Sequence, residues 1–496
     1  MPVHAIFDRG RREAWFFSAL AAVLVVFRSA IFLLRGYIDF DSDQAIVGLM
    51  AKHLSEFRHF PLFFYGQNYM LGAQAWLIAP FFWMARPSIA LLKTPLLLLN
   101  VLAAVLLVRG LSSRVGLRPA FAFVAALPFI VPTPVVGGAF LQTLGSSGIE
   151  PLLYILFLWM LRRRPFAFGA LLAFGFMHRE FTVYAMPALF LVELGEGGIW
   201  STDTIRRTAW AAAGFSLVWL ILDDVKLHLN GNSLFTQAQQ LGMFLCLDRY
   251  TFADRLKYVF TDIWPVLTGG REMPLDHYAI RSSAVTGSVL IGWVTGLTLL
   301  LMLIRMAWLW KLTPRRPPIS FAAYLALAGF TAIIGYSMTC SYAYPVVRYF
   351  HLALLLPIGC FAAFVAWEPS SRWRNLAIAV FLLWGAANVA DNVRLIRNAY
   401  VDPQPDPHGT LTAFLLNHQI RYARAKYWDA YVVDFLSRER VTVGSWGPAR
   451  IPEFEETVDA NRAVTANIER MPCEGQLQVA DWCIQLPVNG PGPGAR

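Results

Sequence analysis

Apolar runs dominate the pattern along this chain. They fall near 15–35, 72–85, 90–108, 119–136, 150–161, 166–178, 181–194, 208–222, 284–304, 320–339, 347–367 and 376–392, with charges gathered in the gaps. A bilayer core needs roughly 20 apolar residues in a spanning helix. The longer runs therefore predict membrane helices, and the shorter ones predict partial or broken spans. A polar loop, 36–70, follows the first run. Within it Ile46, Leu49, Met50, Leu54 and Phe57 recur at helical spacing, with Lys52 and Glu56 off that face. This predicts an amphipathic helix over 43–57 lying along the membrane surface. A second long loop, 223–283, has mixed polarity and turn signals at Asn230-Gly231-Asn232 and Gly269-Gly270. From Pro403 the pattern changes to helix-like 410–417, strand-like 421–424, helix-like 427–437 and strand-like 441–443, ending in a Gly/Pro tail from Asn489. The expected organisation is an α-helical polytopic membrane domain over 1–400 and a small soluble α/β domain over 401–496. No internal repeat is visible.

Composition agrees. Of 496 residues, 57% are hydrophobic and 15% charged, well short of the quarter charged that is usual in soluble domains. The net charge is +10, but no soluble basic domain carries it, so nucleic acid is not an expected partner. The arginines sit in the gaps: Arg109, Arg114 and Arg118; Arg162 to Arg164; Arg206 and Arg207; Arg305 through Arg316; Arg372 and Arg374. Positively charged loops stay in the cytoplasm. That rule puts the N-terminus inside and 36–70, 137–149, 178–181, 223–283, 340–347 and the tail outside. If 72–85 and 90–108 both cross, the Arg109–Arg118 loop lands on the wrong side. Treating one of them as a partial helix restores the pattern and leaves about eleven crossings. The first run has no small-residue cleavage site and reads as an uncleaved helix. Cys473 and Cys483 can pair if the tail is outside, while Cys246, Cys340 and Cys360 lie in or near membrane segments. No CxxC or Cys/His cluster predicts a metal.

Candidate chemistry gathers at the outer helix ends. Asp41-Ser42-Asp43 opens the amphipathic stretch. Two carboxylates at the end of a membrane helix are costly unless they bind or react with something. Capping is the plain alternative, because Asp41, Ser42 or Asp43 is a good N-cap, and spacing alone does not divide the two readings. Glu150 starts an apolar helix beside Gly145-Ser146-Ser147-Gly148. His178-Arg179-Glu180 forms a charged triplet that either binds phosphate or sugar, or closes a tight loop in which Arg179 and Glu180 pair. Tyr65, Gln67, Asn68 and Tyr69 suit a sugar site through aromatic faces and amides; an interfacial aromatic belt explains the tyrosines equally. Lys52, His53, Arg58 and His59 read as a solvated or headgroup-facing set.

Asp43-Gln44-Ala45, with Ala51 downstream, then Phe64-Tyr65-Gly66-Gln67-Asn68-Tyr69 and a following apolar helix, resemble the first outer loop of C-type membrane glycosyltransferases. The likeness is to the bacterial family 39, which includes protein O-mannosyltransferases and aminoarabinose transferases. Arg348-Tyr349 at the start of a late helix and Tyr427-Trp428-Asp429-Ala430-Tyr431 in the tail also fit. Asp43 matches the family's catalytic or acceptor-positioning Asp. Gln44 stands where the family has Glu, and Asp41 is an extra acid that can share the task. The resemblance implies a polyprenyl-phosphate sugar donor, a lipid, glycan or protein acceptor, no cofactor, and a site on the extracytoplasmic side of a bacterial inner membrane. Arg348, preceded by Tyr342, Tyr344 and Pro345, is the expected partner of the departing phosphate, with Tyr344 beside it; interfacial snorkelling is the plain reading of Arg348. Two other functions compete. A flippase for lipid-linked saccharides predicts repeated halves and broken helices at the midplane. A scaffold predicts no polar pocket joining Asp43 to Arg348.

Overall fold

The computed structural model describes residues 3–143, 148–196, 201–230, 248–269, 289–312, 319–338, 349–403, 405–472 and 477–486. In chain order its helices are α1 (Val3–Leu34), α2 (Ser42–Ser55), α3 (Ala73–Met84), α4 (Ile89–Val115), α5 (Pro119–Ile130), α6 (Pro134–Ala139), α7 (Glu150–Leu161), α8 (Pro165–His178), α9 (Ala185–Gly195) and α10 (Thr202–Asn230). Then come α11 (Arg249–Tyr258), α12 (Trp264–Thr268), α13 (Val289–Leu312), α14 (Ser320–Ser337), α15 (Leu355–Trp367), α16 (Ser371–Val401), α17 (Pro407–Asn417), α18 (Tyr427–Ser437) and α19 (Pro452–Ala460). Strands are β1 (Phe63–Phe64), β2 (Gln67–Leu71), β3 (Tyr422–Lys426), β4 (Thr442–Trp446), β5 (Ala466–Arg470), β6 (Leu477–Val479) and β7 (Trp482–Gln485). The chain divides into two compact units. The first holds Met1–Ile31, Leu96–Leu141 and Ser146–Asn398; the second holds Phe32–Pro95, Gln142–Gly145 and Ala399–Arg496.

Among the described residues, six helices are long and apolar enough to cross a membrane: within α1, α4, α10, α13, α14 and α16. Shorter apolar helices, including α5, α7 and α8, accompany them. The 12-residue α3 is about 18 Å long at 1.5 Å per residue, well short of a bilayer core. The protein is thus a polytopic helical membrane protein with a small C-terminal sheet.

Polar side chains repair a broken helix in the first unit. Pro128 and Pro132 interrupt the run, so α5 stops at Ile130 and α6 restarts at Pro134. Buried backbone groups released this way need partners, because lipid offers none. Fully buried Arg28 donates to the carbonyls of Ile130 (3.2 Å) and Gly137 (3.2 Å), and to Asn100 Oδ1 (2.7 Å). Asn388 and Asn392 on α16 donate to the carbonyls of Val131 (2.9 Å) and Pro132 (3.1 Å). Arg207 donates to the Arg162 carbonyl (2.9 Å), and Arg305 pairs with Glu368 at 2.8 Å.

The second unit joins the first loop to the C-terminal domain. Its larger sheet runs β4-β3-β5-β7-β6. β3 is parallel to β4 and β5, whereas β7 is antiparallel to β5 and β6. Helix α18 connects β3 to β4 and is apolar on two faces. Ala430 and Val433 join a cluster with Leu411, Ala423, Val443 and Trp482. Tyr431, Val432 and Phe435 join another with Ile46, Val47, Met50 and Phe82. Helix α2 therefore lies between α3 and α18. At Gly48 the approach is so close that a Cβ would sit 2.5 Å from Phe435 Cε2. Beside this core, Asp39 and Lys93 form a fully buried ion pair.

This packing corrects one expectation. Lys52 and His53 are not solvated: they are 7% and 1% exposed. Glu439 is their hub. It pairs with Lys52, with His53 Nε2 (2.6 Å) and with Arg58 Nη1 (2.9 Å), while His53 Nδ1 meets the Tyr65 hydroxyl at 2.9 Å. Arg58 and His59 do stay exposed, with His59 against Glu453 at 3.2 Å. The polar face of α2 is covered by the C-terminal domain rather than by water or headgroups. Phe57, expected on the apolar face, has a positive φ of 56° and is 66% exposed because α2 has already ended. Of the cysteines, Cys360 is buried and reduced and Cys483 is disulfide-bonded. Cys246, Cys340, Cys473 and the tail from Asn489 lie outside the described residues.

Candidate active site

Two helix starts meet around Asp43. Asp41 caps α2, its Oδ1 accepting the Gln44 N–H at 2.9 Å. The capping task thus falls to Asp41, and Asp43 stands in the first turn, half-buried. The Ser42 hydroxyl donates to the Tyr427 carbonyl (2.6 Å) and ties the start of α2 to the start of α18. Tyr427, the first residue of α18, donates its phenol to Asp43 Oδ1 at 2.5 Å. Arg450 extends the arrangement: its Nε reaches the Tyr427 hydroxyl at 3.4 Å, its Nη1 donates to the Gly66 carbonyl at 2.9 Å, and its backbone N–H donates to the Tyr431 hydroxyl at 2.6 Å. Gly66 is at φ +66°, and a side chain there would meet Arg450 Cδ at 2.7 Å. Asp43 thus lies beside the start of α2 and the phenol at the start of α18, with the Arg450 guanidinium on the far side of that phenol. Burial, and then the Asp43 charge, push the Tyr427 phenol up, so it stays protonated and keeps donating.

Of the aromatic-loop residues, Tyr65 is half-buried, with its hydroxyl on His53 and its acidity weakened by burial. Gln67 is half-buried in β2 opposite Phe64. Tyr69 also lies in β2. Asp429, in the same family-like pentapeptide as Tyr427, serves the domain interior: it is buried and accepts from His408 (3.1 Å) and Arg470 (2.9 Å).

Glu150, His178 and Arg179 belong to the first unit and converge on Tyr154. The Tyr154 hydroxyl meets His178 Nδ1 at 2.7 Å and lies in the fields of Glu150 and Arg179. All three predicted residues are buried. Arg179 is the extended residue between α8 and a short 3-10 turn, Glu180–Tyr184, and donates to the His178 carbonyl at 2.9 Å. Arg348 and Tyr344 lie outside the described residues. Sequence reasoning missed Tyr154, Tyr427 as a partner of Asp43, and Arg450. Tyr154 sits four residues after Glu150, one turn on, which was the available signal. Arg450 left none. Among the described residues no group of three or more His, Cys, Asp or Glu could hold a metal.

The class follows from the whole architecture. The chain has the fold of a C-type integral membrane glycosyltransferase, as its first loop resembles. One solved structure that carries this likeness is that of ArnT from Cupriavidus metallidurans bound to undecaprenyl phosphate. It matches with a TM-score of 0.58 and 8% identity, over 95% of this chain and 97% of that one. No family model and none of the curated proteins matches.

Proposed function

We propose that this chain is an inverting glycosyltransferase. It moves a sugar from a polyprenyl-phosphate donor to an acceptor, a lipid, glycan or protein, at the outer face of a bacterial inner membrane. The carrying observation is Asp43 held by Tyr427 beside Arg450, in a chain sharing its fold along 95% of its length with a structure solved with undecaprenyl phosphate. Asp43 takes the proton from the acceptor hydroxyl. The acceptor oxygen then attacks the anomeric carbon opposite the phosphate. The carbon–oxygen bond to phosphate breaks, its electron pair leaves on the phosphate, and one displacement inverts the centre. Tyr427 is a positioning residue that fixes one carboxylate oxygen. Sequence grounds put forward Arg348 for the leaving phosphate, Glu150, His178 and Arg179 for substrate contacts, and Tyr65, Gln67, Tyr69 and Tyr344 for the sugar.

The test is Asp43→Asn, assayed by transfer from a polyprenyl-phosphate sugar in membranes. Amide and carboxylate are nearly the same shape, and Asp41 rather than Asp43 is the cap. Folding should survive while turnover falls about 100-fold or more. Wild-type turnover rejects Asp43 as the base.

A further inference from the structure

A cavity of about 430 Å³ opens among helix ends of the first unit, and none of its lining residues has been given a role in the transfer reaction. Arg114 comes from the last turn of α4, Arg162 and Arg163 from the end of α7, Glu196 from the end of α9 and Ser320 from the start of α14. Three arginines face one acid. The Arg162 guanidinium lies over the Trp159 ring, 3.8 Å from its centroid. Its Nη1 is buried and has no hydrogen-bond partner, and the Glu196 carboxylate stays 3.8 Å away, beyond hydrogen-bonding range. Helix α14 begins after Ile319, whose side chain makes no capping bond. Its first N–H groups and positive end therefore border the cavity without a side-chain cap.

Arginines at the ends of α4 and α7 are also explained by the helix carbonyls they neutralise. That account covers Arg114 and Arg163. It does not cover a guanidinium stacked in place whose buried Nη1 has no hydrogen-bond partner, because such a donor is costly unless something arrives to accept from it. The remaining wall is Ser113 with the apolar Trp159, Phe321 and Met160; the two rings are nearly buried, and Met160, 56% exposed, is the apolar surface left open. A free inorganic anion would leave that wall unused. A phosphate ester carrying acyl chains uses both halves.

We propose that this cavity binds the phosphate of an anionic glycerophospholipid, with Arg162 as its central donor, Arg114 and Arg163 as its rim, and the start of α14 as its fourth side. Basic pockets between membrane helices take such headgroups. The experiment uses the full chain in a neutral detergent, titrated with phosphatidylglycerol, phosphatidylcholine or inorganic phosphate, and read by thermal midpoint and by native mass spectrometry. Phosphatidylglycerol should raise the midpoint and remain as a single resolved adduct, and phosphatidylcholine should do neither. Arg162→Gln should weaken phosphatidylglycerol about tenfold. Arg163→Gln, at an exposed side chain whose loss leaves the packing alone, should weaken it about threefold and keeps the test decisive if the first variant unfolds. Equal phosphatidylglycerol binding by wild type and Arg163→Gln overturns the proposal. So does an equal shift from phosphatidylcholine, which would make the contact one with any bilayer lipid, or from inorganic phosphate alone, which would make the ligand soluble.

Discussion

Replacing Glu439 by Gln isolates what one charge contributes to the second unit. Lys52, His53 and Arg58 surround the carboxylate; burial pushes it up, but its contacts with His53 and Lys52 outweigh that and hold it down to about 2 from an ordinary 4.5. Lowering that carboxyl from 4.5 to about 2 is worth roughly 3 kcal/mol at neutral pH. Gln keeps the shape but turns an amide N–H₂ toward donors and leaves Lys52, 7% exposed, with only Glu56 at 3.0 Å. The net loss should be about 2–3 kcal/mol. The sign with pH follows from the depressed value. The stabilisation is complete above about 4.5, is lost as pH falls through about 2, and is roughly halved by pH 3. Hydrogen exchange of α2 and α18 amides in the detergent-solubilised chain reads this directly. At pH 7 the variant should exchange roughly 30- to 150-fold faster, which is 2–3 kcal/mol at about 1.4 kcal/mol per decade. After correction for intrinsic rates, the gap should shrink at pH 3. Rates within threefold of wild type at pH 7, or a gap that is the same at pH 3, would refute the charge argument.

Tyr427→Phe keeps the ring and removes the donor to Asp43; kcat should fall about tenfold with little change in KM. Asp41→Ala removes the α2 cap and should cost about 1 kcal/mol in thermal unfolding, whereas Asp41→Asn should cost a few tenths; neither should reduce turnover once folded protein is normalised. Gly48→Ala drives a methyl into the Phe435 ring and should destabilise by about 1–3 kcal/mol, with part of the loss recovered in a Gly48→Ala, Phe435→Leu double variant.

Hydrophobic patterning located the elements well where the chain speaks for itself. The run at 150–161 is α7 to the residue, and the tail's helix 427–437 is α18. Side-chain environment was harder to read where it depends on partners remote in sequence. Lys52 and His53 look solvated along α2, because the acid that buries them is 387 and 386 residues away. Arg28 lies inside the first apolar run, 15–35, with nothing nearby in sequence to explain it, and its reason for being there is a helix break more than 100 residues on. Asp41 and Asp43 are both reasonable caps by composition; the backbone, extended at Asp41 and helical from Ser42, decides between them. The later strands of the tail escaped notice because β5, Ala-Asn-Ile-Glu-Arg, has only Ala466 and Ile468 on its buried face.

The bond between Asp43 and Tyr427 spans 384 residues of chain, and that separation has a meaning in time. At about 5–20 residues per second of synthesis, the first loop exists for roughly 20–80 s before the helix that covers it has been made. During that interval Ile46, Val47 and Met50 lack their α18 neighbours, and Lys52 and His53 lack Glu439. Insertion of the intervening helices must finish before the loop can close. A segment made late is thus what covers one made early, and a nascent chain interrupted between the two carries an uncovered apolar face on α2.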